Sequence, residues 1–155
     1  MSEKQIASLK KENYQLKKAE TDLGFERRRL RSLYELTTNQ NISVEKQIIN
    51  SLKIGLEMLK LDIGIVSQVL ENKYIILYFY APNSELYKMQ EFDLGFTYCN
   101  FTLSADGVVA INNMGVSKYS GHPCYAAFNL ESYHRCSPTN KWSKIWNLEF
   151  FKFKS

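Results

Sequence analysis

Asp62-Ile63-Gly64-Ile65-Val66-Ser67-Gln68-Val69-Leu70-Glu71-Asn72-Lys73-Tyr74-Ile75-Ile76-Leu77-Tyr78-Phe79-Tyr80 decides how the rest of the chain is read. Residues 62–70 and 74–80 are rich in Ile, Val and Tyr, types that fit a pleated, half-buried surface. Glu71-Asn72-Lys73 interrupts them and reads as a hairpin turn between two strands.

Upstream, Ser43 is placed to cap a helix whose apolar residues Ile48, Ile49, Leu52, Leu56 and Leu59 recur at spacings of three and four. Downstream, Pro82 and Asn83 open a loop, Phe92 to Leu94 is a short extended piece, and Thr97 to Ala105 makes one or two helical turns. Val108 to Ile111 is a third strand. Ser117 to Asn129 is helical in pattern after Pro123, with Tyr125, Phe128 and Leu130 on the apolar side. This order implies an antiparallel sheet with flanking helices, an α+β fold. Three strands leave a strand edge and part of a sheet face open, so a further strand pair is expected.

The first third of the chain follows another rule. Leu9, Leu16, Leu23 and Leu30 recur every seven residues, with Ile6, Asn13, Glu20, Arg27 and Tyr34 at the companion positions. A strict seven-residue repeat keeps one stripe against a partner when two helices supercoil left-handedly. The repeat predicts a homodimer through the seam Ile6, Leu9, Leu16, Leu23 and Leu30. A single amphipathic or solvated helix is the alternative. Gly24 softens the helix by about 1 kcal/mol relative to alanine.

Charge and cysteine usage exclude several classes. Of 20 Lys/Arg and 16 Asp/Glu, nine and five fall in residues 1–31, leaving eleven of each sign elsewhere. The body is therefore not a basic nucleic-acid binder, and Arg27-Arg28-Arg29-Leu30-Arg31 reads as a solvated helix face. No apolar run reaches the roughly 18 residues of a membrane span, and Met1 to Lys10 carries no signal-peptide block. Cys99, Cys124 and Cys136 are odd in number and lack a disulfide-framework spacing, which suits a reducing cytoplasm.

Several separated segments resemble GAF domains of bacterial sensor histidine kinases. They are Leu33-Tyr34-Glu35-Leu36-Thr37-Thr38, Leu61 to Ser67, Phe92-Asp93-Leu94-Gly95-Phe96-Thr97-Tyr98-Cys99, and His122-Pro123-Cys124-Tyr125 through Leu130-Glu131-Ser132-Tyr133. The resemblance implies a sensory domain of a two-component signalling protein, with no catalytic centre and with its kinase or cyclase output elsewhere in the polypeptide. It also implies a small-molecule cavity between sheet and helices. Tyr98, Cys99, Tyr119 and Tyr125 are the candidates to line it, with plain core packing as the other role open to each.

Residues 134–155 depart from the family pattern. There the relatives run into a hairpin of the type IGVPLQINGQKFGTLNFSS, whereas this chain reads His134-Arg135-Cys136-Ser137-Pro138 onward to Phe151. A permissible codon choice, read one base later, yields the family-like hairpin. Tryptophan's single codon ends in GG, so Trp142 and Trp146 force glycines in that frame, at the turn and before TLNF. The expectation is a single-base frameshift near Tyr133. The closing strand pair is then missing or replaced, a loss comparable with a whole domain's stability of about 5–15 kcal/mol. Leu148 to Lys154 alternates partly, with Leu148 and Phe150 on one side and Phe151 and Phe153 on the other. It reads as a makeshift strand or a sticky tail.

Two H-x-C pairs, His122-Pro123-Cys124 and His134-Arg135-Cys136, invite a zinc reading, but structural zinc ligands are usually separated by two to four residues. No metal site is expected. Cys124 beside His122 lacks a recognisable orienting group and oxyanion site, so no catalytic residue is expected. GAF relatives that attach a linear tetrapyrrole resemble a Cys-His pair, and this chain has the reverse order with proline between. No cofactor is expected.

The chain thus reads as a coiled-coil signalling helix over 1–36, a GAF-like sensory domain over 37–133 that is left incomplete, and a non-family tail over 134–155. Its expected role is to detect a small ligand or partner and relay the signal through the dimeric helix. The alternatives are an inert truncated fragment and a bilin-binding photosensor.

Overall fold

The computed structural model describes residues 2–38, 41–105, 107–136 and 146–154. It divides into two compact units, Met1–Asn41 and Ile42–Ser155.

The first unit is one helix, α1 (Glu3–Thr38), of 36 residues. It ends two residues beyond the expected boundary. Leu9, Leu16, Leu23 and Leu30 are 54%, 60%, 62% and 64% exposed along it, and Ile6 is 38% exposed. Within the arginine cluster, Arg31 pairs with Glu35 at 2.9 Å and Arg29 with Glu26 at 3.6 Å, both in solvent. Such pairs contribute little, and a lone helix of this kind draws its stability from packing.

The second unit opens with α2 (Val44–Leu59). Ser43 Oγ accepts from Lys46 N at 3.3 Å, and Lys60 closes the helix in the left-handed region at φ 55°. Leu52 and Leu56 are its buried residues. Strands β1 (Ile63–Leu70) and β2 (Lys73–Tyr80) form the expected hairpin, Leu70 pairing with Lys73 around a tip of Glu71 and Asn72. Then come β3 (Glu91–Asp93), α3 (Cys99–Thr102), β4 (Val108–Ile111), α4 (Pro123–Phe128), β5 (Leu130–Cys136) and β6 (Trp146–Phe153). The helical expectation for 117–129 holds only from Pro123, whose ring pre-sets the first helical φ.

The strands make one antiparallel sheet in the order β3-β2-β1-β6-β5-β4. The further strand pair expected from the open edge is present, and of the two outcomes expected for it, missing or replaced, the second holds. The closing pair is replaced by Leu130–Cys136 and Trp146–Phe153, and β6 sits between β1 and β5. Ile63 faces Phe151, Ile65 faces Glu149 and Ser67 faces Asn147. A ladder is made by backbone groups, so it forms wherever side chains alternate acceptably between faces. In β6, Asn147, Glu149 and Phe151 are buried while Leu148 and Lys152 are exposed. Trp142 falls in 137–145, outside the described residues.

The two faces of the sheet are dressed differently. Gly64 and Phe150 lie under α2, in contact with Leu52 and Gly55. The other face carries the main core, in which Ile65, Ile76, Tyr98, Cys99, Tyr133 and Phe151 are buried together.

Candidate ligand cavity

On the core face a cavity of about 580 Å³ remains open beside the packed side chains. Its floor is sheet: Ile63 and Ile65 from β1, Tyr74 and Ile76 from β2, and Glu149, Phe151 and Phe153 from β6. Period-two alternation sets these on one face. The opposite wall is Thr97 and Tyr98, entering α3, with Cys124, Ala127 and Phe128 of α4 and Leu130. Asn83, Ser84, Glu85, Leu86, Tyr87 and Gln90 form the mouth, in the loop that Pro82 opens. The volume lies within the range of roughly 300–1,000 Å³ typical of small-molecule sites.

Glu149 organises the floor, at 1% exposed. Its Oε2 accepts from Ser67 Oγ at 2.9 Å and from the Tyr74 hydroxyl at 2.5 Å. Its Oε1 accepts from the Tyr133 hydroxyl and the Cys99 thiol, both at 2.8 Å. Four uncharged donors thus surround one buried carboxylate. Burial first, and the Glu149 charge second, push the Tyr74 and Tyr133 hydroxyls and the Cys99 thiol well above their ordinary values. All three stay protonated as donors. Cys124 is pushed up to about 12, again chiefly by burial.

Beside this cluster, Arg135 stands opposite Glu149 in the β5–β6 register. Its Nε donates to Asn147 Oδ1 at 2.8 Å and its Nη1 to the Thr102 carbonyl at 2.6 Å. Asn147 Nδ2 is buried without a partner among the described residues.

The four residues proposed from the sequence sit in or against one core, and one of them lines the cavity. Tyr98 lines the cavity, donates to the Leu130 carbonyl at 3.0 Å and packs edge-on against Tyr133. Cys99 lies behind the floor, bonded to Glu149. Tyr119 is stacked on Phe101 at 3.9 Å, and Tyr125 donates to Glu131 at 2.8 Å, both apart from the lining. Sequence reasoning missed Glu149, Tyr74, Ser67 and Tyr133. The available signal was phase: Glu149 shares its parity in β6 with Phe151 and Phe153.

The H-x-C pairs are used locally. His122 Nδ1 accepts from Cys124 N at 3.2 Å as the cap of α4, and His134 Nε2 lies 3.0 Å from Asn112 Oδ1. Among the described residues no three His, Cys, Asp or Glu converge as a metal site. No described helix is long and apolar enough to cross a membrane.

The architecture matches solved GAF domains. The chain is similar to the nlh2 GAF domain from A. aeolicus in an inactive state, at 14% identity and TM-score 0.56, over 84% of this chain and 83% of that one. It is similar to the phycocyanobilin-bound GAF domain of a cyanobacterial phytochrome, at 11% identity and TM-score 0.60, over 82% and 80%. It is also similar to free methionine-R-sulfoxide reductase from Neisseria meningitidis in complex with its substrate, at 9% identity and TM-score 0.58, over 83% and 72%. No family model matches the chain, and no curated protein matches it. The fold is that of a GAF domain. Such identities establish the fold alone.

Proposed function

We propose that this chain is the sensory module of a signalling protein, binding a small ligand in its cavity and relaying the change through a parallel dimer of α1. The observation that carries the reading is the cavity itself, apolar-walled and placed between sheet and helices with its mouth on a loop. The stripe of exposed leucines on α1 supports the dimer. In this reading the module has no reaction of its own. It works in the cytoplasm, ahead of a kinase or cyclase output in the parent protein, as in two-component sensors.

The test is thermal melting of the chain against a metabolite panel, together with light scattering. A ligand at a hundred times its Kd stabilises by about 2.7 kcal/mol, enough to read as a raised melting temperature. The expected result is a dimer with a cooperative melt that at least one compound raises. A monomer whose cooperative melt no compound moves contradicts the reading.

A second reading is favoured by a specific observation. Arg135, Asn147 and Glu149, each 1% exposed, take inward positions on two central strands, where such residues are rarely buried. This supports a frameshift origin for residues 134–155, and with it an inert fragment of a sensory module. Reading the DNA across codons 130–136 decides it. A family-like peptide in the second frame is the expected result, and its absence ends the idea.

A further inference from the structure

The charges around the cavity narrow the class of ligand, an inference that rests on the small-ligand reading above. The charged side chains lining it are Glu149 in the floor and Glu85 at the mouth; no lysine, arginine or histidine is among the described lining residues. Tyr74, Phe92, Tyr98, Phe128 and Phe151 surround the same space with aromatic rings. Glu149 takes four hydrogen bonds, all from uncharged donors. They fill its roughly four acceptor positions, so Glu149 offers a ligand an acidic floor with no free acceptor position. Arg135, its cross-strand neighbour, directs Nε and Nη1 to Asn147 and Thr102 and is not part of the cavity wall.

We propose that the cavity takes an organic cation: an ammonium or amidinium group on an apolar body, held among the aromatic rings near Glu149 and Glu85. A desolvated cation is attracted by the negative faces of aromatic rings, and the two carboxylates act in the same direction. A phosphate or carboxylate ligand would shed its water for a lining that, among the described residues, offers neutral donors and no cationic side chain.

Calorimetric titration of the full chain tests this with four probes: benzyltrimethylammonium, the neutral neopentylbenzene of the same shape, phenylacetate and cyclic AMP. The ammonium is expected to bind about tenfold tighter than its carbon isostere, a difference of about 1.4 kcal/mol. Replacing Glu149 can unfold the chain because it removes four buried bonds, so the exposed Glu85→Gln carries the mutational arm. It is expected to weaken the ammonium about threefold at low salt and leave the isostere unchanged. Tighter binding of phenylacetate or cyclic AMP, or equal binding of ammonium and isostere, overturns the cation proposal and leaves the small-ligand reading standing. A cooperatively melting chain that binds none of the four, and that no compound of the wider panel stabilises, overturns both.

Discussion

Gly55 of α2 and Phe150 of β6 meet so closely that a Cβ on Gly55 would stand 2.6 Å from the Cζ of the ring. Gly64 of β1 approaches the same ring, its would-be Cβ 3.2 Å from Phe150 Cε1. An aromatic ring from the tail is therefore seated in a slot that glycines on the helix and the sheet leave open. Gly55→Ala is expected to lower stability by about 1–3 kcal/mol through overpacking. That outweighs the gain of about 1 kcal/mol that alanine brings to a helix interior. Pairing it with Phe150→Leu recovers part of the loss in urea melts. A neutral or stabilising Gly55→Ala means that Phe150 is not seated there.

The carboxylate in the cavity floor links four elements, β1, β2, α3 and β5, through Ser67, Tyr74, Cys99 and Tyr133. Tyr74→Phe removes one buried hydrogen bond to Glu149 and is expected to cost about 1–3 kcal/mol. Chemical denaturation checks it. A cost near zero shows that Glu149 points to water in solution.

The three thiols differ in burial. Cys99 and Cys124 are buried and held protonated, Cys124 up to about 12, while Cys136 is exposed. The thiolate is the reactive form, so an aromatic disulfide reagent at pH 8 is expected to label one cysteine quickly in the folded chain. All three react in denaturant. Fast labelling of Cys99 in the folded chain contradicts the packing around Glu149.

Much of this fold is legible in the amino-acid sequence. The hairpin over 62–80, the Ser43 cap and the strand over 108–111 are local patterns whose periods declare themselves. The central strands are not legible in this way, because a sheet interior is specified by partners distant in sequence and β6 carries Asn147, Glu149 and Lys152 among its aromatics. Of the three tyrosines proposed from the sequence, Tyr98 lines the cavity. Tyr119 and Tyr125 found nearer partners in Phe101 and Glu131. The polar floor depends on a strand register that no local pattern reveals.

Acid is expected to loosen α4. Burial holds the His122 imidazole below its ordinary value of 6.5, so the unfolded chain takes up the proton more readily. The His122 contribution is present above pH 6.5 and is lost as pH falls through that value toward the lowered one. Protonation of Nδ1 also ends its acceptance from Cys124 N. His134 is lowered in the same direction. His122→Asn keeps a capping acceptor and is expected to flatten the fall in melting temperature between pH 7 and 5. An unchanged slope in the variant assigns the acid loss elsewhere.

The most direct measurement is native-state hydrogen exchange on peptides spanning 146–153. Strand β6 lies between β1 and β5 and supplies the cavity floor, so its amides are expected to exchange as slowly as those of Ile63–Leu70, near the global opening limit. Exchange of 146–153 at the rate of an unstructured peptide, with Ile63–Leu70 still protected, contradicts the account.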